Sequence, residues 1–506
     1  MQRIVIIDVG SNTAKLIALA FTPGYAWRQL DELRAVVRLS EGLDDGGALR
    51  PGPFARGLAA LRTFASYAAA TGVDRVVASA TSAVRDAVNG AEFIAAARSL
   101  GIDLQVLGGV EEAHVAARAV VNGLDVIDGV TLDVGGGSFQ LSQIVGRRWR
   151  RGASWPLGAV RAHERYLKGD PPRPKGVRGL RDATEAAVRS FWREGQPPAT
   201  LAILGGTARN LANVHQKRIG YPLDLLHAYR MPVADLVALS DELLSLEVDA
   251  RAALPGLNRD RADIIAAGAT VIAEVARTLG VTEVSVSGQG LREGLFYPFL
   301  LPDAPDHLFD DVRGFSILNL MRQYHDEPGH NGHVRHLALA LFDATRPWHP
   351  FGTAERDLLG YAAWVHDIGM AVDYYRHEHH GMALALGRAL PGFDHREQVL
   401  IALLVRFHRK GAPSLAGYEH VLAPDDLARL RLLAGLLRLA EYLERGKAQR
   451  VDRVDVRVEA DGLHVLAFGS GDVHVEVEAA NARRDLLEGA LGRSLRVVDA
   501  ADVGVG

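Results

Sequence analysis

The sequence predicts an α/β protein of two similar halves, followed by an all-α domain and a small α+β C-terminal piece. Three observations carry that reading. Up to about residue 301, short β-branched apolar runs alternate with Ala-rich amphipathic stretches, as buried strands with helices packed on them do. IVIIDVGSNTAKL (4–16) and VTLDVGGGSFQL (130–141) repeat one pattern of strand, Asp, Val, Gly, small polar turn and second strand, so that Asp8 pairs with Asp133 and Gly10 with Gly135. After Pro302 the helical period runs nearly without interruption.

Strands are expected at 4–8, 75–80, 103–107, 129–135, 199–206 and 283–288, each short and near-continuously apolar. Helices are expected at 53–71, 90–100, 111–121 and 262–278. GDPPRPKGVRGLR (169–181), rich in Pro, Gly and basic residues, is expected as an exposed loop, and GRRWRRG (146–152) as a hairpin tip. Further helices are expected at 309–325, 330–345, 353–368, 395–409 and 424–445. Residues 451–479 alternate apolar and polar side chains around DG and SGD turns, an antiparallel strand pattern, before a last helix and strand. These changes divide the chain into domains at 1–124, 125–301, 302–450 and 451–506.

The 506 residues hold 57 Lys+Arg against 61 Asp+Glu, a formal charge of −4, and no cysteine. Disulfides, thiolate zinc sites, iron–sulfur clusters and cysteine nucleophiles are thereby excluded, and any metal must sit on His, Asp, Glu or water. A cytoplasmic location suits such a chain. Asp8 cuts the apolar stretch Ile4–Ile7 short, so it reads as a buried strand rather than a leader, and no run reaches the ~18 apolar residues of a membrane span. No membrane partner is expected. The near-neutral charge offers no global field to an anion, so an anionic ligand needs local groups. Glycine, 53 residues or about one in ten, is the excess to explain.

Each half opens on a strand ending in Asp and a Gly-rich turn. Glycine lets backbone N–H groups point at phosphate oxygens, and a strand-end Asp can hold a hydrated divalent cation. One such turn alone is equally well a structural turn. Two in matching positions, with GGTARN (205–210) and SGQGLREG (287–294) also following strands, describe the ligand edge of an α/β sheet.

These motifs resemble the exopolyphosphatase and guanosine pentaphosphate phosphatase family, within the actin-like (ribonuclease H-like) fold shared with sugar kinases and heat-shock ATPases. DVGSNTAKL is similar to its first phosphate loop, ATSAVRDA (80–87) to its arginine segment, LGGVEEAHVA (107–116) to the start of its catalytic-glutamate helix and LDVGGGS (132–138) to its second phosphate loop. RADIIAAGATVI (261–272) and GLREGL (290–295) are similar to its closing segments. The resemblance implies two actin-like lobes and Mg²⁺-dependent release of terminal orthophosphate from inorganic polyphosphate by water, with Mn²⁺ as an alternative ion. It implies Glu112 as the group that activates water, Arg85 and Arg261 as phosphate clamps, and Asp8 and Asp133 as metal ligands. Asn12, Thr13, Gly136, Gly137, Ser138, Gly206 and Thr207 would donate to the phosphates. The residues themselves allow plainer readings: Glu112 as a carboxylate favoured by a helix N-terminus, Arg85 paired with Asp86, Arg261 exposed beside Asp260 and Asp263.

One position departs from the family. Where Gly-Gly-Gly-Ser-Thr-Glu is usual, this chain reads Gly-Gly-Gly-Ser-Phe-Gln, so Gln140 stands where a metal-linked Glu is expected. A carboxamide brings no charge to Mg²⁺, and Glu112 is left as the base.

The helical domain is similar to the HD-like domain of long family members. Twelve of the 19 His lie between His325 and His420, including His330, His366 beside Asp367, His377, His379, His380 and His408. Such imidazoles with one Asp form a divalent-metal pattern whose core is His366-Asp367. Its closing Asp is replaced by Glu441 in LLRLAEYLE, so the domain is read first as a platform that guides a polyanion with His and Arg side chains, RFHRKG (406–411) among them. The other basic stretches, 146–152 and 173–181, are further candidate rails. Inorganic polyphosphate is the implied partner, with guanosine pentaphosphate or a non-catalytic sensor of either compound as alternatives. No nucleic-acid motif with interleaved aromatics is present, and a homodimer is implied by the resemblance alone.

Overall fold

In the computed structural model, residues 1–193 and 195–503 are described, apart from the Asp45 side chain, and the chain forms two compact units, Met1–Val312 and Arg313–Gly506. The first contains two sheets. One joins β1 (Gln2–Val9), β2 (Thr13–Thr22), β3 (Ala26–Val36), β4 (Arg75–Ala80) and β5 (Leu104–Val106) in the order β3-β2-β1-β4-β5. The other joins β6 (Gly129–Val134), β7 (Phe139–Val145), β8 (Arg148–Trp155), β9 (Leu201–Leu204), β10 (Tyr229–Pro232) and β11 (Glu283–Val286) in the order β10-β11-β9-β6-β7-β8. Without β10, the second order repeats the first.

The repeat extends to single hydrogen bonds. In both halves the first strand pairs antiparallel with the second and parallel with the fourth, which places Asp8 opposite Lys15 and Asp133 opposite Gln140. Gly10 N–H donates to the Thr13 carbonyl at 3.1 Å, and Gly135 N–H to that of Ser138 at 3.0 Å, so the two Gly-rich turns close in the same way.

The parallel strands are apolar because both faces are covered. Ile4, Val5, Ile6 and Ile7 are all buried, with Leu61 and Phe64 of helix Pro51–Thr71 and Phe93 of helix Gly90–Ser99 filling one side of the first sheet. Helix Ile265–Leu279 serves the second sheet and is buried along nearly its whole length, hence its Ala, Val and Ile composition. The 169–181 segment departs from expectation. It is irregular only to Arg173, and Pro174 then starts helix Pro174–Phe191, burying Leu180, Thr184, Ala187, Val188 and Phe191 at helical spacing. Proline suits this first turn, where its missing N–H has no partner to lose.

The second unit carries helices Pro328–Ala344, Thr353–Val365, His377–Leu386, His395–Phe407 and Asp426–Leu443. Asp394 caps one of them, accepting from Glu397 N–H at 2.8 Å while Glu397 accepts from Asp394 N–H at 3.2 Å. A sheet in the order β12-β13-β14 follows, from β12 (Val451–Glu459), β13 (Gly462–Gly469) and β14 (Leu495–Asp499). The alternation at 473–479 is not a strand: His474–Asn481 is a helix burying Glu476, Val477 and Ala480, so the inward carboxylate disguised a helical period as a strand period. Among the described residues, no helix is long and apolar enough to cross a membrane.

Candidate active site

The ends of β1, β6 and β9, the turns after the first two and the start of helix Gly205–Ile219, which follows β9 directly in place of the expected loop, converge on one cleft in the first unit. Asp8, Gly10, Asn12 and Thr13 line it from one half, and Asp133, Gly136, Gly137 and Gly206 from the other, with Glu112 and Arg261 between them. The loops meet closely. A Cβ on Gly137 would stand 2.5 Å from Ser82 Oγ and 2.6 Å from Ser11 Oγ, so a side chain there would force the two turns apart. Gly205, at φ +92°, passes so close to Asp133 that a Cβ would lie 2.7 Å from its Oδ1.

Asp8 and Asp133 are taken from water by this packing. Burial raises Asp8 from the ordinary carboxylate range, and Lys15 and Arg292 only partly offset it. Burial likewise raises Asp133 to about 6, against the pull of Arg209. Asp8 Oδ1 has no hydrogen-bond partner. A buried carboxylate oxygen without a donor, beside a second, half-buried carboxylate, fits a hard divalent cation with oxygen ligands.

Glu112 lies in the first turn of helix Gly109–Leu124 and is buried. Burial, with Asp133 nearby, raises its carboxyl to about 8, while Arg85 opposes the rise. Arg85 Nη1 lies 3.4 Å from Glu112 Oε2 and donates to the Leu107 carbonyl at 2.9 Å, while Nε donates to Asp86 at 3.2 Å. Asp86 also accepts from Ser82 Oγ at 3.2 Å and from buried Arg161 at 2.8 Å. Arg85 thus makes the pair with Asp86 of the plainer reading, and the other end of its guanidinium faces Glu112 rather than the place of a phosphate clamp. It stands behind the lining of the cleft rather than in it.

Three other expected residues also stand behind the lining. Ser138 is buried and accepts from Gln140 Nε2 at 2.8 Å. Gln140 Nε2 also lies 3.3 Å from Ser154 Oγ, and its buried Oε1 has no partner. Thr207 turns its side chain to Gly268 of helix Ile265–Leu279. Arg261 is not the exposed arginine of the plainer reading. It is buried, its guanidinium lies over Gly206, and burial with the nearby Arg209 and Arg34 charges lowers it to about 10.

The cleft also holds Lys15, Arg209 and Arg292, which the sequence reading did not single out. Burial and the charges of Arg209, Arg292 and Arg261 lower the Lys15 ammonium to about 7. Arg209 donates to the Gly288 carbonyl at 3.2 Å, and Arg292 to Glu32 at 2.6 Å. A side chamber continues from the cleft past Lys15, Arg209, Arg261, Arg292 and Arg34, with Glu32 the one acid in its lining. All three missed cations lie inside quoted motifs, DVGSNTAKL, GGTARN and GLREGL, and their inward direction follows only from strand register and helix phase.

The basic stretches expected as rails are partly paired. Arg147 pairs with Asp125, Arg148 with Asp306 at 3.2 Å and Arg181 with Asp241 at 2.6 Å, so three of the eight cations in those stretches face an acid. The side chamber is a further concentration of positive charge.

In the second unit, His330, His366, Asp367 and Glu441 come together. His366 Nε2 lies 3.0 Å and His330 Nε2 3.4 Å from Glu441 Oε2, and His330 Nε2 is 3.6 Å from Asp367 Oδ2. All four are buried, so they are not surface groups of a polyanion platform. Against the cost of burial, His330 and His366 hold Glu441 down at about 2.

The sequence model of the Ppx/GppA phosphatase family matches residues 24–302, and that of Ppx/GppA phosphatase domain III matches residues 312–484. Over 315 residues the chain is 33% identical to exopolyphosphatase 2 of Mycobacterium tuberculosis, spanning 58% of this chain and 98% of that protein. The crystal structure of the Aquifex aeolicus Ppx/GppA family member superposes with a TM-score of 0.51 at 25% identity, covering 58% of this chain and 96% of the other. An exopolyphosphatase structure from Cytophaga hutchinsonii is similar in fold, with a TM-score of 0.55 at 24% identity over 59% of this chain and 98% of the other.

Proposed function

Because this chain belongs to the Ppx/GppA phosphatase family, we propose that it is an exopolyphosphatase, releasing terminal orthophosphate from inorganic polyphosphate by attack of water on the terminal phosphorus. The observation that carries the reading is Glu112: a buried carboxyl raised to about 8, in a cleft lined by two Gly-rich turns and four cationic side chains. A phosphoanhydride needs little covalent help from a protein. It needs an oriented water and stabilisation of charge on the transferred phosphoryl oxygens.

Each requirement has a candidate group. Glu112, as the carboxylate, accepts the proton of the attacking water, and its raised pKa makes it a stronger base than a solvated glutamate. Arg85 holds that carboxylate in place from behind. Asn12, Thr13, Gly136 and Gly137 present donors to the terminal phosphate, with Arg261 and Arg209 close to Gly206 and Gly288 on the facing side. The next phosphates run past Lys15, Arg292 and Arg34 in the side chamber. Asp8 and Asp133 would hold Mg²⁺, whose charge neutralises phosphate oxygens when it is bound.

A direct test gives the purified protein long-chain polyphosphate, guanosine pentaphosphate and ATP separately, with Mg²⁺, and follows orthophosphate. The proposal expects polyphosphate to be turned over best. Faster release from guanosine pentaphosphate would move the assignment to the 5′-phosphohydrolase reading, and tight polyphosphate binding without turnover of any substrate to the sensor reading.

A further inference from the structure

The buried histidine cluster of the second unit extends beyond His330, His366, Asp367 and Glu441. His377 and His408 stand on the other side of Asp367: Asp367 Oδ1 lies 3.1 Å from His377 Nε2 and 3.7 Å from His408 Nε2, and the two Nε2 atoms are 3.2 Å apart. Two sets of possible metal ligands therefore share one carboxylate, His330 and His366 with Asp367, and His377 and His408 with Asp367.

The imidazole tautomers sharpen this. His366 Nδ1 lies 2.7 Å from the Ala363 carbonyl, His377 Nδ1 2.9 Å from that of Tyr374, and His408 Nδ1 2.7 Å from that of Val405. A carbonyl only accepts, so the Nδ1 atoms of His366 and His408 carry the hydrogen and their Nε2 atoms present a lone pair to the centre, while His377 Nδ1 stands between the Tyr374 carbonyl and Arg409 Nη1, 3.3 Å away. Backbone carbonyls orient metal-binding histidines in this manner. The Nε2 atoms of His377 and His408 face each other and the Asp367 carboxylate, an arrangement that a cation in the middle satisfies. His366 Nε2, His330 Nε2, Asp367 Oδ1 and Glu441 Oε2 are buried without hydrogen-bond partners.

The spacing suits ions. Two donors about 2.1 Å from one ion, at octahedral to tetrahedral angles, stand roughly 3.0–3.4 Å apart. The separations here run from 3.0 to 3.7 Å. Four imidazoles and two carboxylates select a first-row transition ion over Mg²⁺ or Ca²⁺. Lys447, half-exposed, reaches Asp367 Oδ2 at 3.2 Å and gives the solvent side of the cluster its own positive charge.

We propose that this cluster is a dinuclear centre for divalent first-row transition ions, one held by His330, His366, Asp367 and Glu441, the other by His377 and His408, with Asp367 bridging the two. On this account Glu441 takes the place of the expected Asp without loss of the site, its longer side chain still reaching both His330 and His366. The competing arrangement fills the same space with protons, as imidazolium groups paired to Asp367 and Glu441.

Metal counting separates them. The full-length protein is stripped with chelator, reloaded with Zn²⁺, passed into buffer with excess Mg²⁺ to occupy the oxygen-lined cleft, and its zinc measured per chain by mass spectrometry. Wild type is expected to retain about two Zn²⁺, Asp367→Asn close to none, and His377→Gln or His408→Gln about one. Asp8→Asn, in the other unit, should retain as much as wild type. Circular dichroism checks that each variant is folded, and Co²⁺ absorption gives a second readout of histidine ligation. Wild type retaining less than one ion, or His377→Gln and His408→Gln both retaining the full wild-type content, overturns the proposal.

Discussion

Arg85 places Nη1 3.4 Å from Glu112 Oε2 while the Leu107 carbonyl, 2.9 Å away, fixes the same nitrogen. The pair keeps a buried carboxyl able to ionise. Burial raises Glu112 and Arg85 lowers it, so removing Arg85 raises the carboxyl above about 8 and shrinks the carboxylate fraction at neutral pH. Arg85→Ala is expected to cut kcat at pH 7 by about tenfold or more, one pKa unit being a factor of ten, and to move the rising limb of the pH–rate profile to higher pH. Arg85→Lys should recover part of the shift. An unmoved limb would show that Arg85 acts on something other than Glu112.

Asp133 is raised to about 6 and Asp8 is raised as well, so protons compete with a divalent ion for both groups in mildly acidic solution. The deprotonated carboxylates bind the ion, so affinity falls as pH falls. Through Asp133, apparent affinity for Mg²⁺, or Mn²⁺ as its probe, should weaken by about tenfold per unit below pH 6, and the raised Asp8 adds to the fall. Calorimetric titration from pH 5 to 8 measures this.

Gln140 and Lys15 hold equivalent places, each opposite the strand-end Asp of its half. Gln140→Glu puts a carboxylate beside the Ser138 and Ser154 hydroxyls, which can donate to it. The Mg²⁺ concentration for half-maximal activity is expected to fall severalfold, with the fold retained. Lower activity at every Mg²⁺ concentration would contradict the electrostatic reading of this position.

Arg34 lines the side chamber without reaching the catalytic groups, and Asp260 at 3.5 Å pairs with it only loosely. Arg34→Glu should raise KM for long polyphosphate severalfold at low salt and leave kcat nearly unchanged. Tripolyphosphate should be affected less, and the difference should shrink as salt screens the charge.

Much of this was legible in the sequence, for identifiable reasons. The echo of 4–16 in 130–141 gave the duplicated sheet order, because strand-end Asp and turn Gly sit at the same register in both halves. Glu112 and Asp133 could be placed on an element from local pattern, yet their buried, shifted state depends on groups more than twenty residues away. Lys15, Arg209 and Arg292 were missed because a basic residue in a motif reads as solvated until the register turns it inward. His377 and His408 stood out among the clustered histidines, but their meeting at Asp367 was hidden for a different reason. The helix His377–Leu386 has almost no amphipathic period, and its first residue and the last turn before His408 meet only in the packed bundle.

The central claim is that Glu112 activates the attacking water, and orthophosphate release by Glu112→Gln tests it most directly. The amide is nearly the same size and leaves the phosphate-binding groups in place. With saturating polyphosphate and Mg²⁺, the account predicts a loss of about 10²–10⁴-fold in kcat, with polyphosphate still bound, as removal of a general base requires. Activity within a fewfold of wild type would contradict it and send the search for the base elsewhere in the cleft.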